Sequence, residues 1–232
     1  MGRRSAHTPD ELRELILRAT EALVEQNGLG GLSAREIARS IGYSAGTLYN
    51  CFEHLDDLIL HVEARVLDSL DRVLAAVEPT TTPDDHVRRL ALSYLAFTLE
   101  RPKLWNLLFE HHLPPTMPVP TWYQDKLDAL LARVEAALRP LATNTGPAEL
   151  QRAARVLWAG VHGITSLATA EKLSSVTHDT AQHLVDDLVT TYLAGMRARA
   201  KVKYGRPEQD LVLVLRTDRG PVHCQPLQTL NR

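Results

Sequence analysis

Between residues 33 and 52 the chain sets hydroxyls at Ser33, Ser44, Thr47 and Tyr49, an amide at Asn50 and a guanidinium at Arg35 around the small residues Ala45 and Gly46. Hydroxyls and amides hydrogen-bond to base edges and phosphates, and small residues let a backbone approach closely; a helix carrying such a set suits the major groove of DNA. A second set lies further along: Phe97, Trp105, Leu108, Phe109, Trp122, Trp158, His162 and Thr165, apolar and aromatic with two polar groups. Aromatics gathered on facing helices line an apolar cavity for a small, largely apolar ligand, or else they fill a core. Trp158 and His162 are four apart and share a helix face, where His162 either meets a ligand or is satisfied by a neighbour such as Thr165.

Catalytic and metal chemistry have no comparable signal. His111-His112 and Asp56-Asp57 lack the spacing of a helical metal site, and no GxSxG, P-loop or GxGxxG string occurs, so the reading is a non-enzyme without cofactor or metal. Cys51 and Cys224 are far apart and form no CxxC pair. With 44% hydrophobic and 23% charged residues the composition is that of a globular chain, and the net charge of −2 does not advertise nucleic-acid binding. The N-terminus has no apolar leader and no stretch approaches a membrane span, which points to the cytoplasm and no membrane partner.

Helices must position both sets. Thr8-Pro9-Asp10-Glu11 is a capping signal for a first helix that should stop near Asn27-Gly28. Ser33 through Glu36 is a second capping box, Gly42 marks a turn, and Ala45–Phe52 reads as a short third helix. A fourth runs from about His54 to Val77. Further apolar-periodic stretches follow at 83–100, from Pro102, at 121–138, 147–172 and 177–199, with a proline-rich loop over 113–120. The basic run Arg197–Lys203 reads as a solvated end after the last helix. Residues 204–232 form a tail, spelled either as a short β-hairpin around Asp218-Arg219-Gly220 or as unstructured chain.

The string LSAREIARSIGYSAGTLYNCF, behind one capped helix and ahead of a leucine-rich one, resembles the TetR family of regulators. The resemblance rests on Ile37-Ala38, Gly42, Ser44, Gly46, Thr47-Leu48-Tyr49 and Phe52 at this spacing, and covers about residues 8–60. It implies an all-α homodimer: a three-helix DNA-binding domain over 1–54 and a helical ligand-binding and dimerisation domain over 55–203. It also implies that Ser33, Arg35, Ser44, Ala45, Gly46, Thr47, Tyr49 and Asn50 face double-stranded operator DNA, with Tyr49 on a phosphate. Where family members carry lysines after the closing aromatic, this chain has Glu53 and Leu55; His54, if protonated, and Arg3 and Arg4 on the N-terminal arm are the candidates to compensate.

The apolar faces around 147–172 and 177–199 would pair with their two-fold copies in a four-helix bundle, or be covered within one chain. Gly160 and Gly163 weaken the first of these helices, so close helix–helix approach should explain them. The expected function is a ligand-released repressor with the fourth helix as lever; the alternative is an interaction adaptor with weakened DNA binding.

Overall fold

The computed structural model describes residues 7–142 and 145–204, with side chains as far as Arg199, and all regular structure among them is helical. Arg3, Arg4 and the tail over 205–232 lie outside the described residues. Helix α1 (Pro9–Asn27) begins with the expected reciprocal cap: the Thr8 hydroxyl accepts the Glu11 N–H at 3.3 Å, and the Thr8 N–H donates to the Glu11 carboxylate at 2.8 Å. It ends at Gly28, whose φ of 69° is left-handed and whose N–H returns to the Val24 carbonyl at 2.8 Å. After a short 3₁₀ turn comes α2 (Ala34–Ser40), where half of the expected capping box forms. The Ser33 hydroxyl accepts the Glu36 N–H, but the Glu36 carboxylate turns outward to Arg39 at 3.1 Å.

The third helix, α3 (Ala45–Leu48), is shorter than the expected Ala45–Phe52. The chain continues in tight turns, with the N–H groups of Cys51 and Phe52 both reaching the Leu48 carbonyl at 3.0 Å. The following α4 (Leu55–Ala75) buries Leu58, Ile59, Val62, Val66, Leu70 and Leu74 along its length. Then come α5 (Pro83–Glu100), α6 (Pro102–Glu110), α7 (Thr121–Leu138), α8 (Pro147–Thr169) and α9 (Ala181–Tyr204). The last helix starts later than expected because Thr180 rather than Thr177 caps it: the Thr180 hydroxyl accepts the His183 N–H at 3.2 Å. It also runs further, so the basic segment Arg197–Lys203 lies within the helix rather than after it, and Arg197 pairs with Asp84 of α5.

One apolar core links the N-terminal helices to the rest, from Leu12 and Ile16 of α1 to Val189 and Leu193 of α9. Helix α4 packs on α1, α5, α6 and α7, while α5 packs on α8 and α9. Helix α1 also rests on α6, where Lys103 donates to the Gln26 carbonyl at 2.6 Å and Arg101 pairs with Glu25. The N-terminal head is therefore fastened to the larger half at two places, through α4 and through α6.

Candidate DNA-reading head and ligand cavity

The head is organised around what α3 turns inward. Leu48 is 2% exposed and Phe52 is buried with it, against Ile37, Ala38 and Leu58. Fixing those two side chains inside directs their neighbours out: Ser44, Gly46 and Asn50 are exposed, Ala45 and Thr47 half-buried, and Tyr49 is 52% exposed. Tyr49 is therefore not core. The turn before α3 needs Gly42, at φ 74°, and closes with the Tyr43 N–H on the Ala38 carbonyl at 2.9 Å. At the N-terminus of α3 the hydroxyls of Ser44 and Thr47 lie 3.0 Å apart, holding both at the same edge.

Arg13 of α1 supports the far end. Its guanidinium donates to the Cys51 carbonyl at 2.6 Å and lies 4.2 Å from the Phe52 ring centre, a cation–π contact. The sequence reading did not single it out, and nothing local marks it, since its partners are 38 residues away. Arg35 is exposed and makes no ion pair among the described residues, which leaves its charge available. His54 caps α4 by accepting the Asp57 N–H on Nδ1 at 2.8 Å. That bond commits Nδ1 to the start of α4 and leaves Nε2 as the ring nitrogen not used by the cap.

The larger half holds a cavity of about 340 Å³ among α4, α5, α6, α7 and α8. Of the expected ligand set, Trp105, Leu108, Phe109 and Trp158 line it. Phe97 does not; it meets Trp105 edge-on from the other side and lines a separate polar cleft. Trp122 is away from the wall as well, stacked on His61 at 4.9 Å. Thr165 is fully buried and its hydroxyl has no partner. His162 stands directly behind the wall, stacked on Trp158 at 5.2 Å and close to Phe109 at 4.2 Å. Its Nδ1 lies 2.9 Å from the Tyr94 hydroxyl, so Tyr94 rather than Thr165 satisfies it. Burial holds His162 below the usual histidine value and pushes the Tyr94 phenol up, so both are neutral.

The sequence reading missed much of the wall: Tyr94, the leucines of α4, and Leu127, Leu130, Leu131 and Val134 of α7. An aliphatic stripe reads the same whether it faces a core or a void. Arg133 also lines the cavity, but Asp71 engages its Nε at 3.1 Å and its Nη2 at 2.7 Å.

Tyr123 leads from the cavity toward the head through a buried polar group. Burial and the charge of nearby Glu63, a carboxylate 2% exposed on the apolar face of α4, push the Tyr123 phenol up. Glu63 meets His111 Nδ1 at 2.8 Å, and His111 Nε2 meets Asp56 in the first turn of α4 at 3.2 Å. Burial opposes charge on the His111 ring, but hydrogen bonds to Glu63 and Asp56, and their charges, outweigh it and hold its pKa above the ordinary histidine value. The visible signal was Glu63 itself, the one acid among the buried residues of α4.

A helix-turn-helix with its third helix presented to solvent, joined by a continuous helix to a cavity-bearing bundle, is the architecture of a one-component DNA-binding regulator. Residues 16–62 match the model of the bacterial regulatory proteins of the tetR family, and residues 87–192 match a tetracyclin repressor-like C-terminal domain. The chain belongs to the TetR family of transcriptional regulators, DNA-binding proteins rather than enzymes. It is 25% identical over 187 residues to the uncharacterized HTH-type transcriptional regulator Rv0681 of Mycobacterium tuberculosis, covering 81% of this chain and 82% of that one. A tetR-family transcriptional regulator from Streptomyces coelicolor shares the fold with a TM-score of 0.64 at 20% identity, over 88% of this chain and 85% of that one. A TetR-like transcriptional regulator from Rhodococcus sp. RHA1 aligns with a TM-score of 0.58 at 20% identity, over 82% of this chain and all of that one (100%). Among the described residues no helix is long and apolar enough to cross a membrane.

Proposed function

We propose that the chain is a ligand-released repressor that binds a palindromic operator as a homodimer in the cytoplasm. The observation that carries this reading is the run of α4, from its His54 cap beside the head to Leu67, Leu70 and Leu74 in the cavity wall. A ligand that repacks those leucines acts on the helix that aims the head. Successive major grooves on one face of DNA lie about 34–36 Å apart, so a shift of a few ångströms between two heads breaks the match.

In this reading Tyr49, Ser33 and Arg35 engage phosphates, while Gly46, Thr47 and Asn50, with Ser44 and Ala45 at the helix start, approach base edges. The dimer forms through α8 and α9. Val156 is 53% and Leu167 37% exposed on α8, and a methyl group added at Gly163 would meet nothing within 4 Å in the single chain. Much of both helices is already covered internally, including Leu157, Val161, Val185 and Val189, so the partner meets a narrower strip than the sequence implied. Gly160 has its reason inside the chain, since a methyl there would come within 2.9 Å of Leu188 of α9.

Selection of bound duplexes from a random pool tests the whole reading. The expected product is a palindrome retarded by a dimer, with binding that weakens steeply as salt rises. The exposed Glu53, where family members carry a lysine, favours a second reading as a protein-interaction adaptor with weakened DNA contacts. No enrichment and no retardation at low salt would select that reading instead.

A further inference from the structure

Helix α6 holds the head at one end and the start of α4 at the other. At its beginning, Lys103 reaches the Gln26 carbonyl of α1 and Arg101 pairs with Glu25. At its end, His111 meets α4 twice: Nδ1 lies 2.8 Å from the Glu63 carboxylate and Nε2 3.2 Å from that of Asp56. Asp56 is in the first turn of α4, next to Asp57, whose carboxylate accepts the Glu53 N–H at 3.0 Å and so ties that turn to the head. An ionised carboxylate only accepts hydrogen bonds, so serving two of them takes a proton on both ring nitrogens. A neutral ring has one N–H and leaves either Glu63 or Asp56 unserved. The His111 side chain is 6% exposed and that of Glu63 3%, so a charge left unpaired at Glu63 is costly. The charges that bear on the ring are those of Glu63 and Asp56. From α7 the uncharged Tyr123 phenol adjoins Glu63, and beside the ring in sequence Glu110 and His112 are exposed. His61 of α4 turns instead to Asp57 at 3.5 Å and to the Trp122 ring.

We propose that His111 is a positioning residue for DNA reading, a proton-dependent latch whose charged form clamps the end of α6 to the first turn of α4. The inference rests on the reading of the chain as a repressor whose α4 aims the head. With the proton in place both carboxylates are satisfied, and α6 ties α1 to the start of α4. Loss of the proton frees the contact at Asp56, because a single N–H stays with the more buried Glu63. The head then has one tie fewer. A head held in one orientation loses less freedom on meeting DNA, so operator affinity is highest with the ring protonated and falls as pH rises. The two acids hold the ring's pKa above the ordinary histidine value, which places the fall above about pH 6.5.

Operator affinity of the full chain, measured by fluorescence anisotropy between about pH 6 and 9 at constant salt, tests the latch. Across that range the parent should lose about five- to tenfold in affinity beyond whatever His111→Gln loses, since glutamine cannot take up the charge. Asp56→Asn removes one acid and leaves the buried pair of His111 and Glu63, so it should move the midpoint of the loss to lower pH. The His111 ring, followed by NMR in the parent, should titrate at the same midpoint as operator binding. Equal pH profiles for the parent and a folded His111→Gln overturn the inference and leave the repressor reading standing. So does a ring that titrates well away from the binding midpoint. Should His111→Gln not fold, Asp56→Asn and the ring titration decide, and an unshifted midpoint overturns the latch. If the parent binds no operator at any pH, the repressor reading falls and this inference with it.

Discussion

The head and the cavity half use side chains in opposite directions. On α3, a helix of 4 residues, the residues assigned to function point out, while Leu48 and the following Phe52 anchor the short segment, with Arg13 on the Cys51 carbonyl. Around the cavity the lining residues come from helices spread from Leu67 to Val161, and most of them also serve the core. In the head, stability and function reside on different side chains of the same turn. In the cavity half they reside on the same ones. The head should therefore tolerate loss of function without loss of fold, and the cavity half should not.

The largest effect tests that separation. Leu48→Ala should cost about 2–5 kcal/mol of unfolding free energy by leaving a hole beneath α3. Tyr49→Ala should stay within about 0.5 kcal/mol of the parent, yet weaken operator binding at least about tenfold. Urea denaturation beside fluorescence anisotropy with the selected operator measures both; a Tyr49→Ala protein as unstable as Leu48→Ala would erase the distinction.

Next, Leu127→Trp should fill the cavity from α7 and lower ligand affinity by about tenfold or more while operator affinity stays within about twofold. Isothermal titration of nonane, as an apolar probe of the cavity, and of operator DNA separates the two. Loss of both together would mean that the cavity wall cannot be altered without disturbing the head.

Two half-buried histidines of the larger half should respond to pH in opposite senses. His111 has a raised pKa in the fold, so its contribution is fully present below the unfolded histidine value of about 6.5 and is lost as pH rises through the folded value. His162 has a lowered pKa, so the unfolded chain binds its proton first, and stability rises with pH up to about 6.5. Urea midpoints across this range should show the parent's advantage over His111→Gln shrinking at higher pH. The advantage over His162→Gln should shrink at lower pH. Parallel trends for the two variants would contradict the assigned environments.

The smallest effect concerns the strip assigned to the partner copy. Gly163→Ala should raise the stability of one subunit by about 0.5–1 kcal/mol, since the added methyl meets open space and helix propensity improves. It should also weaken dimerisation in sedimentation experiments if the two-fold copy packs there. A stabilised chain with an unchanged dimer would move the interface elsewhere.

Much of the head was legible because its determinants are local. The Thr8–Glu11 cap and the glycine turns at Gly28 and Gly42 each act within a few residues, and the structure keeps all of them. The box at Ser33 closed only halfway because Glu36 found Arg39, a choice between two neighbours that the motif does not settle. Phe97 and Trp122 were placed at the cavity for their chemistry, and they lie elsewhere because helix rotation, set by packing, turned them to Trp105 and His61. The Arg13 support for the recognition turn left no motif at all and the His111–Glu63–Asp56 cluster only an acid on an apolar face, since each joins residues tens of positions apart.

By itself the amino-acid order determined where most helices begin and turn, and which short segment would present hydroxyls and small residues to solvent. Those outcomes follow from caps, glycines and a 3.6-residue period, all of them short-range. Tertiary structure alone decided which leucines border a void instead of a core, which tryptophan buries its N–H without a partner, and which histidine has its pKa raised. Such properties depend on what arrives from distant helices, because burial and partnership belong to the packed chain and not to any one stretch of it.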